Sequence, residues 1–497
     1  MKSSSSQPHL TPFPLPDPAV ARHPNVLLSA RELLRWLDSL PLGNPPRVAQ
    51  QILQQLRLLA RDPQPGPRLS ALLDCYTPTL DRLRQITDAR LPSDSESALP
   101  LDQLELLMLD LVAEQACGYL RACNAQLVVG KAPALATLYS AAKLLDEAAM
   151  LASLHYHRAP QPHWRLLLHT YLLAEQLGLA KQVLNPKRSP GDGSDTIHGI
   201  FFCALLIACC DPHHHPPARV GAWHAWLEHH TDTLALVPLP QGNAAIPIDI
   251  SGELTPLAAA RTAKPGRSTQ YVTADTLLEQ LKEDPEAPID LLTTLTALVR
   301  GRRTPEQRRA PREALDQPYH LLFGLHNIAT RLASLGNDGA GTDAPTVAGR
   351  QINRSKTGAA FTLAGPLNTP PSIGEPVLAE ASARGADGTA VGFLARVQRV
   401  VFDPAQNVDI GVEKLPGRVM PVTITGSAAE RVRGDVGALL LHSPERSHYT
   451  LIAPKRLFRE GDMVSVEGPS VRHNLRMLEQ SGGSRRFAYI EVEVMQS

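Results

Sequence analysis

The spacing of apolar residues changes period part-way along the chain, and this change limits the folds open to it. From about residue 28 to 235 apolar side chains recur at three- and four-residue steps. Val48, Ile52, Leu56 and Leu59 form one stripe; Leu104, Met108 and Leu111, ending at Gln115, begin another. β-Branched residues are scarce here, and breakers such as "LPLGNPP" and "HRAPQPH" divide the segment into helices of ordinary length. After Asn353 the step shortens to two, in runs such as "AAFTLAG", "AVGFLARVQRVVF", "VDIGVEKL", "VMPVTITG", "YTLIAP" and "FAYIEVEVM" separated by Gly, Pro and Asp turns. The expected class is a multidomain α+β protein: an all-α domain, then one or two small antiparallel β-barrels.

Five segments follow from this reading. Residues 1–27, "MKSSSSQPHLTPFPLPDP" and onward, lack the apolar core of a signal peptide and read as a disordered leader. Residues 28–235 are the helical domain. Residues 236–304 mix short strands ("AIPIDISG", "TQYVTA") with helices ("ADTLLEQLKED", "IDLLTTLTALVRGRR") and read as a connector. Residues 305–425 form a first β-barrel, and 426–497 a further small β module.

Charge narrows the partners. Lys and Arg number 49 against 49 Asp and Glu, so no overall field draws the chain to nucleic acid or an anionic membrane, and any anion site must be local. Aromatics at 4% are too sparse for base-stacking platforms, so "RGRRTPEQRR" is not read as a DNA or RNA surface. The longest apolar run, "GIFFCALLIACC", is short of the roughly 20 residues that span a bilayer, and no membrane span is expected. The six cysteines lack paired framework spacing and suit reduced thiols in a cytoplasmic protein.

Catalytic and metal patterns are absent from this reading. "CCDPHHHPP" gathers Cys209, Cys210 and His213 to His215, but adjacent histidines on a proline-bounded turn cannot all face one ion, and the cysteines continue an apolar helix. "GKAPAL" at Gly130 lacks the Ser/Thr and upstream glycine of a phosphate loop. No Ser-His-Asp order is legible, and neither enzymatic activity nor a cofactor is expected.

The arginines are unevenly placed. "EQRRAPREAL" holds Arg308, Arg309 and Arg312 around Pro311, and about forty residues on stands "NRSKTG", with Asn353, Ser355 and Gly358. Guanidinium is planar, permanently charged and able to donate two parallel hydrogen bonds, which suits phosphate oxygens and the O6/N7 edge of guanine. A short amide and a hydroxyl can address a base edge, and glycine allows close backbone approach. Taken alone, Asn-x-Ser-x-x-Gly is also an ordinary turn opening a strand.

Together the two stretches resemble the PilZ family, whose signature is Arg-x-x-x-Arg followed by Asp/Asn-x-Ser-x-x-Gly on a small β-barrel. "IGEPVLAEA", "AVGFLARVQRVV" and "VDIGVEKLPG" are similar to its following strands, so the resemblance covers about 305 to 425. It implies a non-enzymatic receptor for cyclic di-GMP in which Arg308 and Arg312, with Arg309 between them, clasp phosphates and guanine faces. By the same resemblance Asn353 and Ser355 read a guanine edge and Gly358 holds the turn, while the helical domain passes the signal to a protein partner. The competing class is a scaffold whose barrel no longer binds nucleotide. One departure from the family is the amphipathic stretch "YHLLFGLHNIATRLASLG", expected as a helical insert that covers or reshapes the site.

Overall fold

A computed structural model describes residues 11–15, 23–63, 66–90, 103–158, 161–184, 195–261, 266–300, 312–335, 345–367, 371–384, 390–403, 405–425, 436–442, 449–469, 471–484 and 486–495. The chain divides into two compact units, chiefly residues up to 307 and chiefly residues from 308.

The first unit is built on α1 (Ala30–Asp38), α2 (Pro45–Arg61), α3 (Gly66–Asp74), α4 (Thr77–Arg90), α5 (Gln103–Leu127), α6 (Leu135–Leu154), α7 (Gln161–Gln176), α8 (Ile197–Cys209) and α9 (Pro217–Leu227). Local chemistry starts several of them. Ser29 caps α1 by accepting from the Glu32 N–H, and Asn44 caps α2 in the same way, with Pro45 and Pro46 occupying positions where no backbone donor is needed. Val48, Ile52, Leu56 and Leu59 are all buried on one face of α2. On α5 the stripe ends at Gln115, whose Nε2 donates to the Leu73 carbonyl at 3.2 Å and so satisfies a buried amide. The run "IFFCALLIAC" lies within α8, a helix buried nearly all round in the core, and no helix among the described residues is long and apolar enough to cross a membrane.

Two expectations for this unit change. Within the leader, Phe13 is buried and exchanges hydrogen bonds with the Asn124 side chain (2.7 and 2.9 Å), so an aromatic ring and a matched carboxamide anchor residues 11–15. The connector is part of the core. Strands β1 (Leu236–Val237), β2 (Ala245–Asp249) and β3 (Thr269–Thr273) form a small antiparallel sheet, and α10 (Pro256–Ala260), α11 (Asp275–Glu283) and α12 (Ile289–Val299) accompany it. Ile246, Ile248, Val272, Leu277, Leu291 and Leu295 join the helical core, because alternate residues of β2 and one face of each helix are apolar and need cover.

The second unit holds two closed antiparallel barrels. The first comprises β4 (Glu313–Phe323), β5 (Val347–Arg354), β6 (Gly358–Leu363), β7 (Pro376–Arg384), β8 (Ala390–Phe402) and β9 (Val408–Lys414), joined in the order β4-β5-β6-β9-β8-β7. The second comprises β10 (Arg418–Thr425), β11 (Val436–His442), β12 (Tyr449–Pro454), β13 (Met463–Gly468), β14 (Val471–Gly483) and β15 (Phe487–Met495), in the order β10-β11-β12-β15-β14-β13. The strand at 418–425, assigned above to the first barrel, pairs with β11 and β13 and belongs to the second. Closure decides this, since the first barrel already closes through β4 and β7 and offers no edge.

The insert is half strand and half helix. Tyr319–Phe323 completes β4, Gly324 turns the chain at φ +86°, and α13 (Leu325–Leu335) follows. Its apolar face lies between the barrels: Leu325, Ile328 and Ala329 pack with Leu322, Leu378 and Leu394 of the first and with Leu439, Leu441, Ile452 and Tyr489 of the second. Arg331 donates to Glu380 at 3.1 Å beside this seam, and the Arg396 guanidinium, paired with Glu413, lies 5.3 Å from the Tyr489 ring centre.

Candidate functional site

Residues 301–311, including Arg308 and Arg309, lie outside the described residues. Arg312, Asn353, Ser355 and Gly358 can be placed. Asn353 is near the end of β5, Ser355 begins the turn, and Gly358 opens β6. The turn closes on itself: the Ser355 N–H donates to the Gly358 carbonyl at 2.7 Å, and the Gly358 N–H donates to the Ser355 hydroxyl at 3.1 Å. The serine hydroxyl therefore shapes the hairpin.

Gly358 makes its close approach within the barrel. A Cβ there would sit 2.5 Å from the Val412 carbonyl oxygen on β9, a backbone atom that cannot swing aside. Gly358→Ala is expected to destabilise the barrel unit by about 1–3 kcal/mol through overpacking. Urea unfolding followed by far-UV circular dichroism checks this, and an unchanged midpoint would contradict it.

Strand pairing brings the two motifs together. Glu313 of β4 pairs with Arg354 of β5, and Ala314 with Asn353, so Arg312, one residue upstream and exposed, stands beside the Asn353–Gly358 turn. Two exposed ion pairs reinforce the register. Arg354 donates to Glu313 at 2.9 Å, and Arg350 donates to both carboxylate oxygens of Asp316, whose hydrogen bonds and charge hold the guanidinium above its usual pKa range.

The register also carries an irregularity that periodicity could not reveal. Between β5 and β6, Gln351 pairs with Phe361 and Asn353 with Ala360, leaving Ile352 as an extra residue. Between β4 and β5 the register shifts again, between Ala314 and Gln317. Such a bulge changes which face the following side chain takes. Gln351 follows Phe361 to the interior, whereas Asn353 takes the side of Ala360, which is more open than its neighbours Ala359 and Phe361. The Asn353 Oδ1 is buried with no hydrogen-bond partner. An orphaned acceptor is costly, as it is for the buried Gln351 Oε1 two residues upstream, and a donor that reached either oxygen would relieve that cost.

Cys209 and Cys210 are buried at the end of α8, where burial raises the Cys209 thiol well above its usual range, and no group of three or more His, Cys, Asp or Glu among the described residues could hold a metal ion. Gln351 and Ile352 were missed in the sequence because a bulge depends on which strands pair.

The fold thus defines a class: a helical unit followed by two six-stranded antiparallel barrels, the first displaying an arginine beside an Asn-x-Ser-x-x-Gly hairpin. Residues 31–241 match the family model described as "Cyclic-di-GMP receptor FimW, N-terminal domain". That match covers the helical segment and stops upstream of both barrels. The solved "Structure of Bacillus subtilis Inhibitor of motility (MotI/DgrA)" is similar at 12% identity, over 36% of this chain and 88% of that one, with a TM-score of 0.12. Comparison with curated proteins found no match.

Proposed function

We propose that the protein is a non-enzymatic cyclic di-GMP receptor of the cytoplasm, with a PilZ-like first barrel as the binding module and the helical unit as the surface for a protein partner. The pairing of Glu313 with Arg354 and Ala314 with Asn353 carries this reading, because it brings the chain at Arg312 alongside the strand end at Asn353. The family match of residues 31–241 supports it independently. Arg312, with Arg308 and Arg309, supplies bidentate donors to phosphate or to guanine O6 and N7. Asn353 Oδ1 accepts from the N1–H and N2–H edge of guanine, while Ser355 and Gly358 keep the hairpin that presents it.

This division of labour predicts selectivity. Adenine presents a lone pair at N1 and has no N2 amine, so the Asn353 oxygen would face an acceptor. Calorimetric titration of the full chain is expected to give micromolar or tighter affinity for cyclic di-GMP, roughly −8 kcal/mol, and no measurable binding of cyclic di-AMP. A flat cyclic di-GMP titration with folded, nucleotide-free protein would overturn the receptor reading and leave a scaffold with a silent barrel.

A further inference from the structure

The bulge that sets Asn353 on the side of Ala360 also leaves Ile352 unpaired, and the two residues together oppose Ala360. Ile352 is 40% exposed, which by itself is unremarkable for a single surface side chain. Its setting is specific. Its neighbours Arg350 and Arg354 are both engaged, with Asp316 and Glu313. Ile352, between them in the chain, offers an apolar, β-branched surface beside Asn353, whose Oδ1 is orphaned, and close to the strand entry that carries Arg312.

A flat heteroaromatic ring that donates from its edge to Asn353 has to rest one face on something, and an apolar side chain held by a strand backbone serves without needing to be ordered first. We infer that Ile352 is the platform on which a purine base of the ligand lies, packing against the ring face while Asn353 accepts from the ring edge. This rests on the receptor reading above. Ile352 contributes to affinity, and the discrimination of guanine from adenine stays with Asn353 and the arginines.

The test is calorimetric titration of the full chain with cyclic di-GMP, comparing wild type, Ile352→Ser, Ile352→Phe and Arg312→Ala, together with thermal unfolding of each. Ile352→Ser is expected to weaken binding about tenfold by removing apolar contact area, with its melting temperature unchanged. Ile352→Phe should bind at least as tightly as wild type, since a larger face offers more contact. If Arg312→Ala loses affinity while Ile352→Ser binds like wild type, the platform is wrong and the receptor reading stands; a wild type that does not bind removes both. Should Ile352→Ser also melt lower, the wild-type complex decides: nuclear Overhauser contacts from the labelled Ile352 δ1 methyl to guanine H8 support the platform, and their absence overturns it.

Discussion

Arg312→Ala is expected to weaken cyclic di-GMP binding by about 2–4 kcal/mol, a loss of about thirtyfold to nearly a thousandfold in affinity, with little change in stability. The affinity loss follows from the chemistry of guanidinium. Two parallel donors on a permanent cation match a phosphate or the guanine Hoogsteen edge, and alanine supplies neither charge nor donors. Arg312→Lys is the informative companion, because it keeps the charge and loses the fork, so its affinity should fall between the two. The small stability cost follows from position. Arg312 precedes β4 and is exposed, so truncation opens no cavity. Calorimetry and thermal unfolding on the same preparations check both halves. Normal binding by the alanine variant, or a melting temperature that falls in step with affinity, would make Arg312 a structural residue.

Ile328→Ala is expected to have the largest effect on stability, about 2–5 kcal/mol. Ile328 is fully buried on the face of α13 that touches both barrels, so truncation leaves a cavity walled by Leu322, Leu378 and Leu394 on one side and Leu439, Leu441 and Ile452 on the other. Those walls are backed by closed sheets and collapse poorly. Since both barrels line the cavity, amide-exchange protection should fall in β4 and β7 of the first and in β11 and β12 of the second. Loss confined to the first barrel would show that α13 does not join them. Tryptophan fluorescence is a poor reporter for this experiment, as Trp36, Trp164, Trp223 and Trp226 all lie in the first unit.

The candidate site was legible in composition and obscured in geometry. Arg312 and the Asn353–Gly358 hairpin stand out in the sequence because charged forks and glycine turns have few structural substitutes. The reason for Gly358 was not legible: it is set by the Val412 carbonyl more than fifty residues away. Nor was β4, which reads "EALDQPYHLLF". Its outer half is largely exposed, it carries Pro318, and its apolar residues cluster at one end, so neither a two-residue nor a helical period emerges. Strands β5 and β14 were hidden by similarly polar, arginine-rich sequences.

Local periodicity by itself determined the helical first part, the β-rich remainder and the amphipathic character of the stretch that became α13, because burial of one face is written at steps of two or of three to four residues. The tertiary structure decided where one barrel ends and the next begins, what covers the apolar face of α13, and that β2, β3, α11 and α12 complete the helical core. It also decided the face of Asn353 and Ile352. Strand register comes from pairing between segments tens of residues apart, and a single extra residue at Ile352 reverses the alternation that the sequence displays.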